Sequence, residues 1–165
     1  MNQLVVSFIG SDRPGLVDLL SNTIKLHRGN WQTSSMHHLS GYFAGVVEVS
    51  IEQKNTALLV SALSEMSELH CQIEIAKPNN TAIKANLILE LTANDRSGIV
   101  QEISSVIHRE GGNLLKLVST QDSAAHSGQV MFKAKAQVSI NEQHIDNIIS
   151  AIEAIADDIM VDISH

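Results

Sequence analysis

The sequence has little sulfur, few aromatic residues and no long apolar run. Cys71 is the only cysteine among 165 residues, so an internal disulfide and a thiolate metal cluster are both excluded. One Trp, one Tyr and three Phe are too few for the stacking surfaces that bind single-stranded nucleic acids. No stretch approaches the roughly 20 consecutive apolar residues of a membrane span. We therefore expect neither a disulfide scaffold nor a membrane protein.

Positive charge is also scarce. The chain has 11 Lys and Arg against 18 Asp and Glu, which gives a net charge of −7 at pH 7. Nucleic-acid binding depends on clustered Lys and Arg that displace counterions from phosphates, and the sequence has no such cluster. The apolar run at residues 4–9 lacks the basic stretch and long apolar core of a signal peptide. These features predict a cytoplasmic protein with no direct contact to nucleic acid.

One short pattern occurs twice in the chain. Residues 11–15 read Ser-Asp-Arg-Pro-Gly, and residues 94–98 read Asn-Asp-Arg-Ser-Gly. Residues 4–31 align with residues 87–114 without a gap, at a constant offset of 83. The identities along this alignment include Asp12/Asp95, Arg13/Arg96, Gly15/Gly98, Val17/Val100, Ser21/Ser104, Ile24/Ile107, Gly29/Gly112 and Asn30/Asn113. We interpret the chain as an internal duplication.

Both copies predict the same order of secondary structure. Apolar alternation indicates strands, and apolar residues spaced three and four apart indicate helices. The predicted βαββαβ elements lie at residues 4–9, 15–28, 31–39, 43–52, 56–68 and 71–75 in the first copy and at residues 86–91, 98–110, 114–121, 130–138, 142–156 and 159–163 in the second. The alternation of the third strands raises the offset from 83 to 87. The second hairpin is therefore expected to be about four residues longer, around residues 123–127.

The predicted fold is α+β, with two ferredoxin-like units at residues 1–78 and 84–165. A break at residues 77–81, which contains the second of two prolines, separates them. Right-handed crossovers place both helices of a unit on one face of a four-stranded antiparallel sheet, with the first and third strands central. Each unit is small enough that we expect the two to pack together. The other sheet face is expected to be open to water or to a partner, and it carries Glu48, Ser50, Glu52, Lys133 and Lys135.

The repeated turn has the chemistry of an amino-acid-binding site. The first turn of a helix exposes N–H groups and a partial positive charge, which suit a carboxylate. Gly15 and Gly98 allow a small ligand to approach the backbone closely, and Asp12 and Asp95 suit an ammonium group. The candidate ligand-binding residues are therefore Asp12, Arg13, Gly15, Leu16, Asp95, Arg96, Gly98 and Ile99. Because Pro14 stiffens the first turn, we expect Gly15→Val to weaken ligand binding more than Gly98→Val.

The same turn also suits a purely structural role. An Asp before a helix commonly caps its N–H groups, and Pro is favoured at the first helical position. On sequence alone, capping is the commoner role for such residues. Capping does not require an arginine, however, and the recurrence of Arg13 as Arg96 favours a ligand role. Both interpretations stay open, and one residue can serve both.

No residue pattern predicts a metal site, a cofactor site or a catalytic site. His37 and His38 are adjacent in a predicted strand, so their side chains point to opposite faces and do not share one ion. The sequence has no G-x-S-x-G, H-E-x-x-H, P-loop or G-x-G-x-x-G motif. We therefore expect no metal, no cofactor and no enzymatic activity.

The tandem βαββαβ organisation, with Asp-Arg-Pro-Gly between the first strand and the first helix, resembles a pair of ACT domains, the amino-acid-sensing regulatory module. The resemblance covers the whole chain. With no further domain, the layout is most similar to the glycine cleavage system transcriptional repressor family. Asn30 and Asn113 become secondary ligand candidates, because the start of the second strand in ACT units tends to face a neighbouring unit's turn. Ser97 departs from the motif, which has proline at this position.

The resemblance also implies a function. It predicts that the protein senses glycine or another small amino acid and represses transcription indirectly, through a transcriptional activator protein. An alternative is a ligand-free ACT scaffold or protein-interaction module, and a small enzyme is the weakest alternative. The sequence leaves open whether one or two ligands bind and whether the chain is a monomer or a homodimer.

Overall fold

Two four-stranded antiparallel sheets form the framework of the protein. A computed structural model describes residues 1–77 and 81–165. The chain divides into two units, Met1–Asn80 and Thr81–His165. The predicted break at residues 77–81 includes residues 78–80, which lie outside the described residues. None of the helices in the described parts is long and apolar enough to cross a membrane.

The first unit has the predicted βαββαβ order. Its elements are β1 (Asn2–Ser11), α1 (Leu16–Leu26), β2 (Asn30–Leu39), β3 (Tyr42–Ile51), α2 (Gln53–Ser64) and β4 (His70–Ile75). The strands lie in the order β2-β3-β1-β4, and all neighbours are antiparallel. The prediction that the first and third strands are central is confirmed, and the polar strand β2 is an edge strand.

The second unit repeats this arrangement. Its elements are β5 (Leu87–Asn94), α3 (Ile99–Arg109), β6 (Asn113–Ser123), β7 (Val130–Ser139), α4 (Ile145–Glu153) and β8 (Met160–Ser164). The sheet order is β6-β7-β5-β8, again antiparallel throughout. The α+β prediction of two ferredoxin-like units is confirmed.

The two units bury corresponding positions of the repeat. Alternate residues of the first strand face the core because side chains of a strand point to opposite faces in turn. Residues four apart on the following helix lie over them. These buried pairs are Leu4/Leu87, Val6/Leu89, Phe8/Leu91, Leu16/Ile99, Leu20/Ile103 and Ile24/Ile107. The repeated core fixes where the turn between strand and helix lies in each unit.

Several predicted boundaries differ from the structure. Helices α1 and α3 begin at Leu16 and Ile99, one residue later than predicted, because Gly15 and Gly98 occupy the N-cap in a left-handed conformation. Helix α2 begins three residues earlier and ends four residues earlier than predicted. Helix α4 is shorter at both ends, and the 3-10 turn Glu142–His144 precedes it.

The second hairpin is longer than the first, as predicted, but the predicted offset of 87 is wrong. Phe43 pairs with Gly10, and Phe132 pairs with Ala93 at the corresponding place in the second sheet. Phe43 therefore corresponds to Phe132, an offset of 89. Alternation alone cannot detect this error, because a shift by two residues keeps every side chain on its own face.

The sheet face away from the helices is only partly as predicted. Glu52, Lys133 and Lys135 are exposed, and Glu48 is half-buried. Ser50, expected on the open face, is buried with 5% exposure. Ser50 pairs with Gln3 on one side and Asn30 on the other, and longer side chains therefore flank its small hydroxyl.

Candidate functional site

The two Asp-Arg-x-Gly turns have nearly the same backbone conformation. Gly15 has φ 89° and ψ 6°, and Gly98 has φ 84° and ψ 0°. A residue with a Cβ adopts this region at a cost of about 1–2 kcal/mol. The place where a Cβ would lie is open out to 4 Å at both glycines. Each glycine therefore allows the positive φ that the turn requires. Its lack of a side chain also leaves free space beside the first helical turn.

Neither aspartate caps its helix. In the described part of the chain, no side chain makes a capping hydrogen bond at the N-terminus of α1 or α3. The interpretation of Asp12 and Asp95 as helix caps is therefore wrong. Because the positive end of each helix has no side-chain acceptor, its first-turn N–H groups suit an anionic group.

Both aspartates instead contact the edge strand of their own sheet. The Asp12 Oδ2 atom contacts Nδ1 of His38 in β2. The Asp95 Oδ2 atom accepts a hydrogen bond of 2.5 Å from Nε2 of Gln121 in β6. His38 and Gln121 occupy corresponding positions of the repeat, so the duplication has kept this contact although the residue changed. Neither residue was predictable from the repeat, since both lie beyond the aligned segment in a polar strand.

The two arginines have acidic partners, but not the same ones. The Arg13 Nη2 atom lies 3.7 Å from Oε1 of Glu68, just before β4. Arg96 donates two hydrogen bonds, of 3.0 and 2.5 Å, to the carboxylate of Glu102 in the first turn of α3. This contact holds the pKa of Glu102 below its usual value. Both terminal nitrogens of Arg96 are therefore hydrogen-bonded within the protein, whereas Arg13 makes only the longer contact with Glu68.

An open cavity of about 800 Å³ surrounds the second turn. Its volume lies in the range usual for small-molecule sites. The turn, the start of α3, the edge strand β6 and one residue of β7 line it: Asp95, Arg96, Ser97, Gly98, Ile99, Val100, Gln101, Ser104, Ser119, Thr120, Gln121 and Phe132. The structure thus brings Asp95, Gly98 and Ile99 together with the hydroxyls of Ser104 and Ser119, which the sequence analysis did not identify. The expected preference for the first turn stays a prediction.

Asn30 and Asn113 lie far from the turns of their own units. Asn30 pairs with Ser50 near one end of β3, while Ser11, at the start of the first turn, pairs with Tyr42 at the other end. These places are eight residue steps apart along β3, a distance of about 26 Å. Asn113 likewise pairs with Ser139 at the end of β7. Neither asparagine forms a site together with the turn of the same unit.

The paired histidines point to opposite faces of the first sheet, as predicted. His38 lies opposite Phe43 on the helix side, and His37 lies opposite Ala44 on the other side. Within residues 1–77 and 81–165, no group of three His, Cys, Asp or Glu residues is placed to hold a metal ion. The His38 side chain therefore lies next to Asp12 of the first turn, whereas the His37 side chain lies on the outer sheet face.

The packing beside the first turn is tighter than at its counterpart. A Cβ on Gly10 would lie 2.3 Å from the carbonyl oxygen of Glu68, whereas the corresponding Ala93 is accommodated. We expect Gly10→Ala to lower the free energy of unfolding by about 1–3 kcal/mol, because backbone must move to admit the methyl group. Urea unfolding followed by fluorescence of Trp31, the only tryptophan, measures this for the first unit.

The reciprocal change Ala93→Gly is the control, followed by far-UV circular dichroism because Trp31 reports only the first unit. This substitution creates no clash and should cost about 0.5–1 kcal/mol through backbone entropy. An unchanged unfolding midpoint for Gly10→Ala would show that the loop bearing Glu68 is not held against the first turn.

Comparison with known proteins identifies the fold. Residues 2–76 match the family model of the ACT domain. The structure is similar to that of an unknown protein from Galdieria sulphuraria, with 26% identity, a TM-score of 0.82 and coverage of 99% of this chain and 97% of the other. It is also similar in fold to a candidate glycine cleavage system transcriptional repressor, with 16% identity, a TM-score of 0.71 and the same coverage. No curated protein sequence matches the chain.

Proposed function

Because residues 2–76 form an ACT domain and the second unit repeats its fold, we propose that the protein is a non-enzymatic regulator that senses a small amino acid. Glycine is the first candidate ligand. The observation that carries the proposal is the second turn, where an uncapped helix N-terminus and the carboxylate of Asp95 line one cavity. An α-amino acid has a carboxylate for the first and an ammonium group for the second.

The binding mode follows from the charges at the turn. The ligand carboxylate accepts hydrogen bonds from the N–H groups of Gly98 and Ile99, where the helix dipole favours negative charge. The Ile99 N–H makes only a 3.4 Å bond to the carbonyl of Arg96, so the carboxylate replaces a weak contact. Gln121 holds one oxygen of Asp95 and leaves the other for the ammonium group. The first turn offers the same groups around Gly15, Leu16 and Asp12.

The regulatory output is proposed to pass through a protein partner in the cytoplasm, a transcriptional activator. A chain of net charge −7 gains little from counterion release on DNA. The chain shares its fold with a candidate glycine cleavage system transcriptional repressor, and this shared fold supports the proposal of a role in transcription. A mobility-shift assay at moderate salt should show no sequence-specific retention of DNA by the purified protein. Specific retention would contradict indirect repression.

A thermal-shift screen against the twenty amino acids tests the sensing proposal. A ligand that binds only the folded state raises the melting temperature with concentration, by the equivalent of about 2.7 kcal/mol at 100 times the Kd. We expect glycine, or another small amino acid, to raise it and bulky amino acids to have less effect.

A ligand-free scaffold is the alternative, and one observation favours it. Asp12, Asp95 and Arg96 all have partners within the protein, as the residues of a purely structural turn would. A melting temperature that none of the twenty amino acids changes would support the scaffold and overturn the sensing proposal.

A further inference from the structure

The outer face of the first sheet, on the side away from α1 and α2, carries a continuous apolar band. The outer-facing side chains of β1 are Gln3, Val5, Ser7, Ile9 and Ser11, since the alternate residues face the core. Five large apolar residues on this face are between 45% and 64% exposed: Val5, Ile9, Leu39, Tyr42 and Val46. The register makes them neighbours on β1, β3 and the end of β2. An exposed apolar patch of this kind marks a contact surface.

The second unit shows that the fold does not require this band. By register, Val46 corresponds to Lys135, Ile9 to Thr92 and Leu39 to Asp122. The charged residues there have partners on the same face, since Lys135 lies 3.9 Å from Glu90 and Lys133 lies 3.5 Å from Asp122. The second sheet therefore carries charges where the first carries Val46 and Leu39, although Met160 and Val118 are exposed on that face too.

Charged and titratable residues on the first face are arranged in two rows on either side of Val46. Cross-strand pairing places His37 and His70 in the row of Ile9. It places Glu48 and Glu74 in the row of Val5. The row between them contains Val46 and Ser7. Histidines and glutamates thus lie about equally far from the middle row, on opposite sides of it.

We propose that a second copy of this chain covers the outer face of the first sheet, with the two faces stacked about a twofold axis. The axis runs across the strands through the row of Val46. Turning one face over in this way places Val46 on its own counterpart, Ile9 on Val5 of the second copy, and His70 on Glu74 of the second copy. The contact between His70 and Glu74 occurs twice because the interface is isologous.

The charges select this axis. An axis along the strands would place each row of side chains against the same row of the second copy, so that no histidine would meet a glutamate. Stacked antiparallel sheets pack with strands aligned within about 30°, which keeps the corresponding rows in contact.

The area available predicts a weak dimer. Four strands spaced about 4.8 Å apart and five rows of side chains give about 500 Å² per copy, or about 1,000 Å² in total. That total lies at the lower end of specific protein interfaces, so we expect dissociation constants in the micromolar range. This inference is independent of amino-acid binding, which concerns the opposite face of the sheet.

The mass in solution tests the proposal. Sedimentation equilibrium of the intact chain should show reversible association from 17.9 kDa to twice that mass as concentration rises. Val46→Lys should abolish it, because two lysines would meet on the axis. The corresponding Lys135 shows that the fold accepts lysine at this position. Met160→Lys, at an exposed apolar residue of the other sheet, is the matched control and should dimerise like the wild type. A wild-type mass that stays at the monomer value, or a Val46→Lys protein that dimerises normally, would overturn the proposal.

A charge exchange tests the axis itself. His70→Glu should weaken association at least tenfold by placing two carboxylates together. In the double variant, His70→Glu with Glu74→His, a glutamate at position 70 again meets a histidine at position 74 of the second copy. This variant should recover most of the wild-type affinity. A double variant as weak as His70→Glu alone would rule out this arrangement, even if the chain dimerises in another way.

Discussion

Replacing Gly98 with valine is expected to lower amino-acid affinity at the second turn by about 100-fold or more, equivalent to about 2.7 kcal/mol. A valine side chain would extend into the open space beside the first turn of α3. In the proposed binding mode the ligand carboxylate occupies that space when it reaches the N–H groups of Gly98 and Ile99. Titration calorimetry with the amino acid found by thermal shift measures the change.

Gly111→Val is the matched control. Gly111 also has a positive φ, of 83°, and open space around its missing Cβ, but it lies at the other end of α3. Both substitutions therefore carry a similar backbone strain, of about 1–3 kcal/mol. Equal affinity in the two variants would mean that Gly98 serves only the backbone. If either valine variant fails to fold, the corresponding alanine pair makes the same comparison with less strain.

The Asp95→Asn protein should bind the amino acid about 5- to 150-fold more weakly than the wild type. The substitution keeps an oxygen that can accept from Gln121 but removes the negative charge that meets the ammonium group. Losing a hydrogen bond to a charged group costs about 1–3 kcal/mol. Asp12→Asn should act in the same way at the first turn, where His38 occupies the position of Gln121.

Asp122→Asn separates this effect from a change in net charge. Asp122 is an exposed residue next to Gln121 in β6, and its carboxylate is near Lys133 on the outer sheet face. The Asp122→Asn protein should bind the amino acid with the same affinity as the wild type. Unchanged affinity in both Asp12→Asn and Asp95→Asn would show that the aspartates only tie the turns to their edge strands.

The duplication made most of the fold predictable from the sequence. Strand alternation and helical spacing in one copy could be compared with the corresponding positions of the other. The central strands, the polar edge strand β2 and the glycine at each turn all followed from this repetition. These features depend on local periodicity and on backbone angles that glycine alone adopts easily.

The side-chain contacts of the site were not predictable in the same way. The capping interpretation of Asp12 failed because Gly15 occupies the N-cap, which removes the aspartate from reach of the helix N–H groups. Its contact with His38 depends on how a 10-residue edge strand pairs across the sheet, and that polar strand has no periodicity to read. Register across a hairpin of different length is likewise a tertiary property.

The two turns have also diverged since the duplication. Arg96 has a bidentate partner in Glu102, whereas Arg13 has Glu68 at 3.7 Å, because Leu19 stands where the second copy has Glu102. His38 in one turn is Gln121 in the other. Such differences predict two sites of unequal affinity, which a two-phase calorimetric titration would reveal.

In the proposed binding mode, a small amino acid lies against the N-terminus of a helix at these turns. A titration of the isotope-labelled protein with glycine, followed by amide chemical shifts, tests it most directly. We expect saturable shifts that are largest at Gly98, Ile99 and Gln121, or at their counterparts Gly15, Leu16 and His38, with little change at Gly111. Saturable shifts confined to other residues, or no shifts at glycine concentrations that stabilise the protein, would contradict it.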